Sequence, residues 1–389
     1  MERFIIHLNV ADFAVGVERA LDPRLQGRPV IIAPGGAVRA SVYDMSEEAY
    51  RAGIRKGMPL RKAVRLCTDA RVVPPHSDRY ERAMRLLCRQ ALPYSPRIEP
   101  GDRDGHLFVD VTGTQRLFGP AVDVAWRLRK HVRSELNLDP IWSVAPNKLM
   151  AKVATRLVKP NGEYIVESGE EEAILEPLPI HIVPGIERED LVRLYEFNLR
   201  RVFQVAALEP EQLSVPVGDR AQFIYEAVRG IDRSPVRTEE EKPPTATVEH
   251  TFENDTNDLS VLNRVLYGMI EESGRMLRSR CLAARRIGLV LDYSDGIRHR
   301  GYAAAAPATA NDITLFDLAQ PALIRIWTRR IRIRHMRLIL DRLIFPPAQM
   351  ELFPAVRMES EKRVRVVAAM EAVRHRFGND TVRMGRMMV

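Results

Sequence analysis

The chain has 389 residues, 46% hydrophobic and 28% charged, and 59 Lys and Arg against 51 Asp and Glu leave a net charge of +8. That length gives room for about two to four domains, and the balance of apolar and charged residues excludes a chain disordered throughout. Cys67, Cys88 and Cys281 lie far apart, which excludes a CxxC zinc module and a disulfide-built scaffold. The first apolar run carries His7, Asn9 and Asp12 and makes a poor signal peptide. No apolar stretch of about 18 residues occurs, so a soluble cytoplasmic protein with no membrane partner is expected. The basic balance suggests a polyanion as partner without identifying one.

In chain order, Phe4-Ile5-Ile6-His7-Leu8-Asn9 reads as a buried strand. Residues 40–67 read as helical turns broken by Gly53 and by Gly57-Met58-Pro59, and residues 78–92 have helical apolar spacing. Strands are expected at 97–100 and 107–112 around a polar turn at 101–105, and amphipathic helices at 121–136 and 147–157. Interleaved strands and helices suggest a β-α-β-β-α-β sheet with helices on one face. Short helices and tight turns follow to about residue 232, then a Pro- and charge-rich linker at 236–247. Beyond it, Asp295-Gly296 marks a hairpin between strands at 286–293 and 297–304. A tail with a basic helical segment follows Pro346-Pro347.

Ser143-Val144-Ala145-Pro146-Asn147-Lys148-Leu149-Met150-Ala151-Lys152, followed by Lys159-Pro160-Asn161-Gly162, is the first passage that composition does not explain. It places Lys148 and Lys152 on one side of a helix and Lys159 on a rigid turn, suited to phosphate or to solvent. The passage resembles the Y-family, or translesion, DNA polymerases of the DinB/UmuC type. The resemblance continues through Gly53-Ile54-Arg55-Lys56-Gly57-Met58-Pro59, Tyr94-Ser95-Pro96-Arg97-Ile98-Glu99-Pro100, Val109-Asp110-Val111-Thr112-Gly113, Val183-Pro184-Gly185-Ile186 and Gly230-Ile231-Asp232. It implies an α+β, right-hand polymerase fold. A ferredoxin-like palm would take residues 1–25 and 77–165, small fingers 26–76, a helix-hairpin-helix thumb 166–235, and an α/β little finger 248–345, with a tail at 346–389.

The resemblance implies a centre for two divalent cations, Mg2+ or Mn2+, held by converging carboxylates. Aligned without a gap, the family's first metal-binding aspartate falls on Asn9 and the second on Ala11. The family's later Asp-Glu pair falls on Asp104 and Gly105 or on Gly105 and His106, depending on the direction of counting. Asn9 and Asp104 remain as weak metal candidates; Asp12, one residue along the strand, would point to the opposite face. The bulky residue that excludes a ribose 2′-hydroxyl falls on Ala14. The fingers' triphosphate ligands fall on Glu47 and Tyr50, with Tyr43 and Arg51 nearby, and Glu187 replaces a thumb glycine. Lys159 is accordingly expected to meet nucleic acid or solvent rather than to serve catalysis.

Arg330-Ile331-Arg332-Ile333-Arg334 alternates, so as a strand it would present three arginines on one face. With Arg325, Arg337 and Arg286 it makes a candidate surface for DNA phosphates. Gln349-Met350-Glu351-Leu352-Phe353 resembles the bacterial sliding-clamp-binding peptide, with Gln349, Met350, Leu352 and Phe353 as anchors. The run Asp104-Gly105 before Asp110-Val111-Thr112-Gly113 and Leu117-Phe118-Gly119 is similar to the ImuB-type subunit of the bacterial mutasome. That subgroup implies a non-catalytic adaptor, needing no cofactor. It would sit on primer-template DNA at the nucleoid, grip the clamp, and recruit an error-prone replicative-type polymerase and a RecA-like accessory protein. The alternatives are an active, diverged polymerase using Asp104, Asp12 or Asp102, and a DNA-bound regulatory module unrelated to synthesis.

Overall fold

The computed structural model describes residues 2–34, 40–238, 245–345, 354–378 and 381–382. The chain forms two compact units, Met1–Glu241 and Lys242–Val389. The strands in order are β1 (Ile5–Asn9), β2 (Val30–Ile32), β3 (Asp44–Met45), β4 (Arg71–Val73), β5 (Ile98–Pro100), β6 (His106–Asp110), β7 (Ile141–Ala145), β8 (Glu163–Ile165), β9 (Ala246–Thr256), β10 (Ala284–Tyr293), β11 (Arg298–Thr309) and β12 (Ile333–Asp341).

The first unit is built on a five-stranded sheet in the order β5-β6-β1-β7-β8. β1 lies at its centre, antiparallel to β6 and β7, with Asn9 opposite His106 and Ile141, and His7 opposite Phe108 and Ser143. All five residues of β1 are buried, so both faces of the sheet are covered there. Ile6, Leu8, Leu107, Val109 and Trp142 pack with Phe13, Tyr80, Leu87 and Leu128 from the helices Phe13–Leu21, Ser77–Ala91 and Ala121–Leu136. Each such side chain taken out of water is worth about 1.5–3 kcal/mol. The other face is not bare, contrary to the expectation of helices on one side. The helix Lys148–Leu157 lies against it, with Ser143 donating to Ala151 O at 2.7 Å and Thr155 Oγ1 meeting His7 Nδ1 at 2.8 Å. Alternation along β1 sends Ile5, His7 and Asn9 to that face, so the chain needs a second layer to bury them.

A small sheet, β3-β2-β4, packs Ile31 and Met45 on Ala49, Ile54 and Ala63 from the turns and helices around 47–66. Residues 166–236 add short helices around Leu175, Leu194, Leu213 and Ile224. The expected linker at 236–247 is shorter than its composition suggests. Val236 is 1% exposed, the Arg237 N–H donates to Glu99 at 2.8 Å, and β9 already begins at Ala246.

The second unit is a four-stranded antiparallel sheet, β11-β10-β12-β9. The helices Leu259–Ser279 and Asp312–Ile326 cover one face through Leu266, Ile270, Leu315 and Leu323 against Leu289, Leu291, Met336 and Leu338. The hairpin expected at Asp295-Gly296 joins β10 to β11. A further helix, Pro354–Phe377, is held to this unit by Arg374 with Glu271 at 2.7 Å and by Glu371 with Arg278 at 2.6 Å.

Candidate functional site

The C-terminal end of β1 opens into a cleft of about 370 Å³ whose lining includes Asn9, Ala11, Asp12, Asp104, His106 and Lys159. Glu47, Tyr50 and Lys56 line it from the small sheet's side. The positions singled out by resemblance therefore meet in one place. Of the aligned ligand positions only Asp104 carries a carboxylate, with Asp12 and Glu47 beside it in the cleft.

Asn9 is 1% exposed, and its Nδ2 has no hydrogen-bond partner among the described residues. A buried donor left unpaired costs about 1–3 kcal/mol. Across the strand, His106 Nδ1 lies 3.0 Å from His7 Nε2, with the rings stacked at 5.1 Å, and His7 stacks on Phe108 at 4.3 Å. The imidazole therefore turns inward to the sheet. Burial, partly offset by Asp104, pushes His106 down to about 4. Burial, then His106 and Lys152, pushes His7 well below its ordinary value. Both rings are accordingly neutral at pH 7.

Between Gly101 and His106 the chain makes a tight turn. Gly105 has φ +77°, and a Cβ there would stand 2.8 Å from Phe13 Cβ. Only glycine fits this position, so no carboxylate can be carried on it. Asp104 folds back, its Oδ1 accepting the His106 N–H at 3.1 Å. The turn absorbs the residue that makes the interval long, while β6 keeps its register with β1.

Asp12 is not on the strand. β1 ends at Asn9, and Asp12 takes φ 49° at the start of the helix Phe13–Leu21, which places it in the cleft and corrects the expected opposite face. Burial and the neighbouring Asp44 push its carboxyl up to about 6. Asp44 had no signal in the sequence. It is 2% exposed, accepts from Ala14 N and Met45 N at 3.0 Å each, and pairs with Lys56 at 2.9 Å. Ala14 itself is 2% exposed.

Of the lysines, Lys148 is committed to Glu99 at 2.7 Å. Lys152 and Lys159 are both lowered, Lys152 by burial and then Arg156, Lys159 by burial and then Lys56 and Arg156. Lys159 lines the cleft. Glu47 is partly neutralised by Arg51 at 3.0 Å, and Arg55 lies 3.8 Å over the Tyr50 ring. Glu187 forms a reciprocal capping box with Asp190, so the helix Arg188–Glu196 is closed by its own carboxylates.

The positions aligned with the family's ligands do not by themselves fit a pair of divalent cations. Asn9 offers a neutral amide, Ala11 and Gly105 offer no side-chain ligand, and His106 Nδ1 is taken up by His7. Among the described residues, no three His, Cys, Asp or Glu side chains converge in a way that could hold a metal ion.

In the second unit, the run 330–334 is not a strand throughout. β12 begins at Ile333, with a register shift between Ile333 and His335 where it passes Tyr293, and Ser294 takes the Arg332 carbonyl through its N–H and hydroxyl at 2.9 Å each. The bulge breaks the alternation, so three arginines do not line one strand face. On the sheet face away from the helices, Arg286 grips Asp341 at 2.7 and 2.5 Å, and Arg337 Nε lies 2.6 Å from Glu249 as an ionic contact. Arg334 is 3.8 Å from Asp255, and Arg325 donates to the Tyr302 carbonyl at 2.9 Å. Arg330 and Arg332 are exposed, with no ion pair among the described residues. Gln349, Met350, Leu352 and Phe353 lie outside the described residues.

A five-stranded sheet bearing the cleft, a small sheet beside it, a helical segment and a separate four-stranded unit make up a fold of the right-hand polymerase class. Residues 8–156 match the impB/mucB/samB family and residues 244–352 its C-terminal domain. A protein named DNA polymerase IV from Halorhodospira halophila is 33% identical over 333 residues, 85% of this chain and 93% of the other. Another of that name from Dehalococcoides mccartyi is 29% identical over 390 residues, 99% and 97% of the two chains. Among solved structures, a Y-family DNA polymerase chimera built on Dbh aligns with a TM-score of 0.74 at 21% identity, covering 88% of this chain and 99% of its own. DinB from Sulfolobus solfataricus aligns with a TM-score of 0.60 at 22% identity, covering 87% and 98%. The chain belongs to the Y family of DNA polymerases. No helix among the described residues is long and apolar enough to cross a membrane.

Proposed function

We propose that this Y-family chain is a non-catalytic adaptor in translesion synthesis. The observation that carries the reading is the crossing of β1 and β6. There an amide, a hydrogen-bonded histidine pair and an obligatory glycine stand where metal-binding carboxylates are expected. Nucleotidyl transfer by two cations needs negative ligands to concentrate the ions and to hold them close together, and the cleft supplies too few.

In this reading residues 1–25 and 77–165 act as palm, 26–76 as fingers, 166–235 as thumb and 248–345 as little finger. DNA is the partner, which accords with Dbh having been solved as an insertion ternary complex. Arg330 and Arg332 are the arginines best placed for phosphates, because they have no ion pair to break. The peptide at 349–353 takes the sliding clamp, and an error-prone replicative-type polymerase with a RecA-like protein completes the assembly at the nucleoid. A second reading, an active but diverged polymerase, is favoured by relatives named DNA polymerase IV and by Asp12 and Asp104 both lining the cleft.

Primer extension with Mg2+ and then Mn2+, beside DNA binding on the same preparation, separates the two. The adaptor reading expects binding without extension. Extension abolished by Asp12→Asn or Asp104→Ala would sink it. Leu352→Ala with Phe353→Ala should abolish clamp binding and leave DNA binding unchanged.

A further inference from the structure

The first unit has a second concavity, of about 580 Å³, where the end of the helical segment returns to the five-stranded sheet. Arg3, Arg229 and Arg233 line it, with Glu171 and Asp232 as its acidic groups. From these residues we infer that the pocket binds a phosphate-bearing ligand, separately from the cleft at Asn9.

The argument rests on where the charges are committed. Asp232 uses both carboxylate oxygens on backbone amides, Oδ2 accepting from Leu149 N at 3.0 Å and Oδ1 from Ser234 N at 2.9 Å. Glu171 Oε2 accepts the Gly169 N–H at 2.7 Å. Neither acid pairs with a guanidinium of the pocket among the described residues. Arg3 donates once, to Ser234 O at 2.9 Å. Arg229 donates to Tyr225 O at 3.0 Å and to Ala206 O at 2.6 Å, with Tyr225's ring 3.6 Å from its guanidinium carbon. Arg233 makes no hydrogen bond or ion pair among the described residues. Each guanidinium carries about five N–H donors, so most remain available. Among the described residues no carboxylate pairs with any of the three.

The wall is also rigid. Asn147 Nδ2 holds the Gly230 carbonyl at 2.8 Å, and a Cβ on Gly230, at φ +72°, would stand 2.6 Å from Glu171 Cβ. The glycine lets the returning chain press against the neighbouring helix, and Asp232 then clamps the turn that carries Arg233. Three guanidinium forks converging on one pocket match the several oxygens of a phosphate group better than a single carboxylate, which one guanidinium would satisfy. The shared chemistry is phosphate, supplied either by a free pyrophosphate-type anion or by a nucleic-acid backbone.

The test is calorimetric titration of the full chain with inorganic pyrophosphate, repeated in the presence of a short single-stranded oligonucleotide. Wild type should bind, and Arg233→Gln should weaken binding by about tenfold or more. Arg233 holds no structural bond, so that variant keeps the fold, which its melting temperature checks. Glu171→Gln, which keeps the acceptor for Gly169, should tighten binding. Competition by the oligonucleotide assigns the site to a nucleic-acid backbone, and its absence assigns it to a free anion. No binding, or equal binding by wild type and Arg233→Gln, overturns the inference.

Discussion

Replacing His106 with glutamine should flatten the acid dependence of stability. Glutamine keeps a hydrogen-bonding end group toward His7 but cannot take up a proton. In the native chain His106 falls from an ordinary 6.5 to about 4 through burial. A histidine held neutral contributes stability that is fully present above 6.5 and is lost as pH falls toward 4, because the unfolded chain binds the proton first. Over that window the linkage relation gives a loss of about 2 kcal/mol at about pH 5 relative to about pH 7.5. Asp12 runs the other way. Its carboxyl is raised to about 6 from 3.8, so the folded state gains stability as pH falls between those values. That contribution is common to both proteins and cancels in their difference. Urea unfolding followed by Trp142, which is 2% exposed in β7, reports on the sheet once Trp126 and Trp327 are replaced by phenylalanine. The His106→Gln curve should be shallower by about 2 kcal/mol across the window. Two curves that coincide within about 0.5 kcal/mol would show that the pair is not held neutral by the fold.

On the adaptor reading, acids placed at the end of β1 and just beyond it, Asn9→Asp with Ala11→Asp, should leave primer extension at background. Adding the missing partner by Gly105→Asp should lower stability by about 2 kcal/mol or more, read by thermal unfolding, since φ is +77° and Phe13 is 2.8 Å from the new Cβ. On the second unit, Asp341→Asn with Glu249→Gln frees Arg286 and Arg337. DNA binding measured against salt should tighten, and the slope of log Kd on log salt should steepen by about one for each freed arginine. Arg374→Leu leaves Glu271 buried without its ion-pair partner and should cost about 3–5 kcal/mol. Hydrogen exchange should then quicken in the helix Pro354–Phe377, whereas Arg374→Met with Glu271→Leu should restore much of the protection.

Local pattern made much of this molecule legible. The helix at 121–136, the hairpin at Asp295-Gly296 and the strand at Asn9 follow from apolar period and turn chemistry, whereas Asn9, Ala11 and Ala14 were singled out only by the family resemblance, aligned without a gap from His7 to Glu18. Contacts between distant residues were not legible. His7 and His106 meet only because β1 and β6 pair in one register, and either ambiguity in the count from Glu99 or Asp110 hides which residue faces Asn9. Gly105 resolves the count by taking the extra residue into a positive-φ turn. Asp12 was misplaced because period 2 was extended past the end of the strand. The alternating arginines failed for a related reason, since β12 starts only at Ile333 and a register shift before His335 interrupts the alternation that the pattern extends. Asp44 touches Ala14 across 30 residues, and no spacing rule marks that contact.

The histidine pair at the β1–β6 crossing also changes what the sheet requires of its surroundings. Facing carboxylates repel one another and are stable together only when a cation from solution is drawn between them, which makes folding free energy a function of ion concentration. His7, His106 and Thr155 instead satisfy one another with protons already on the chain. The bond between the two rings therefore answers to pH, where facing carboxylates would answer to the supply of cations.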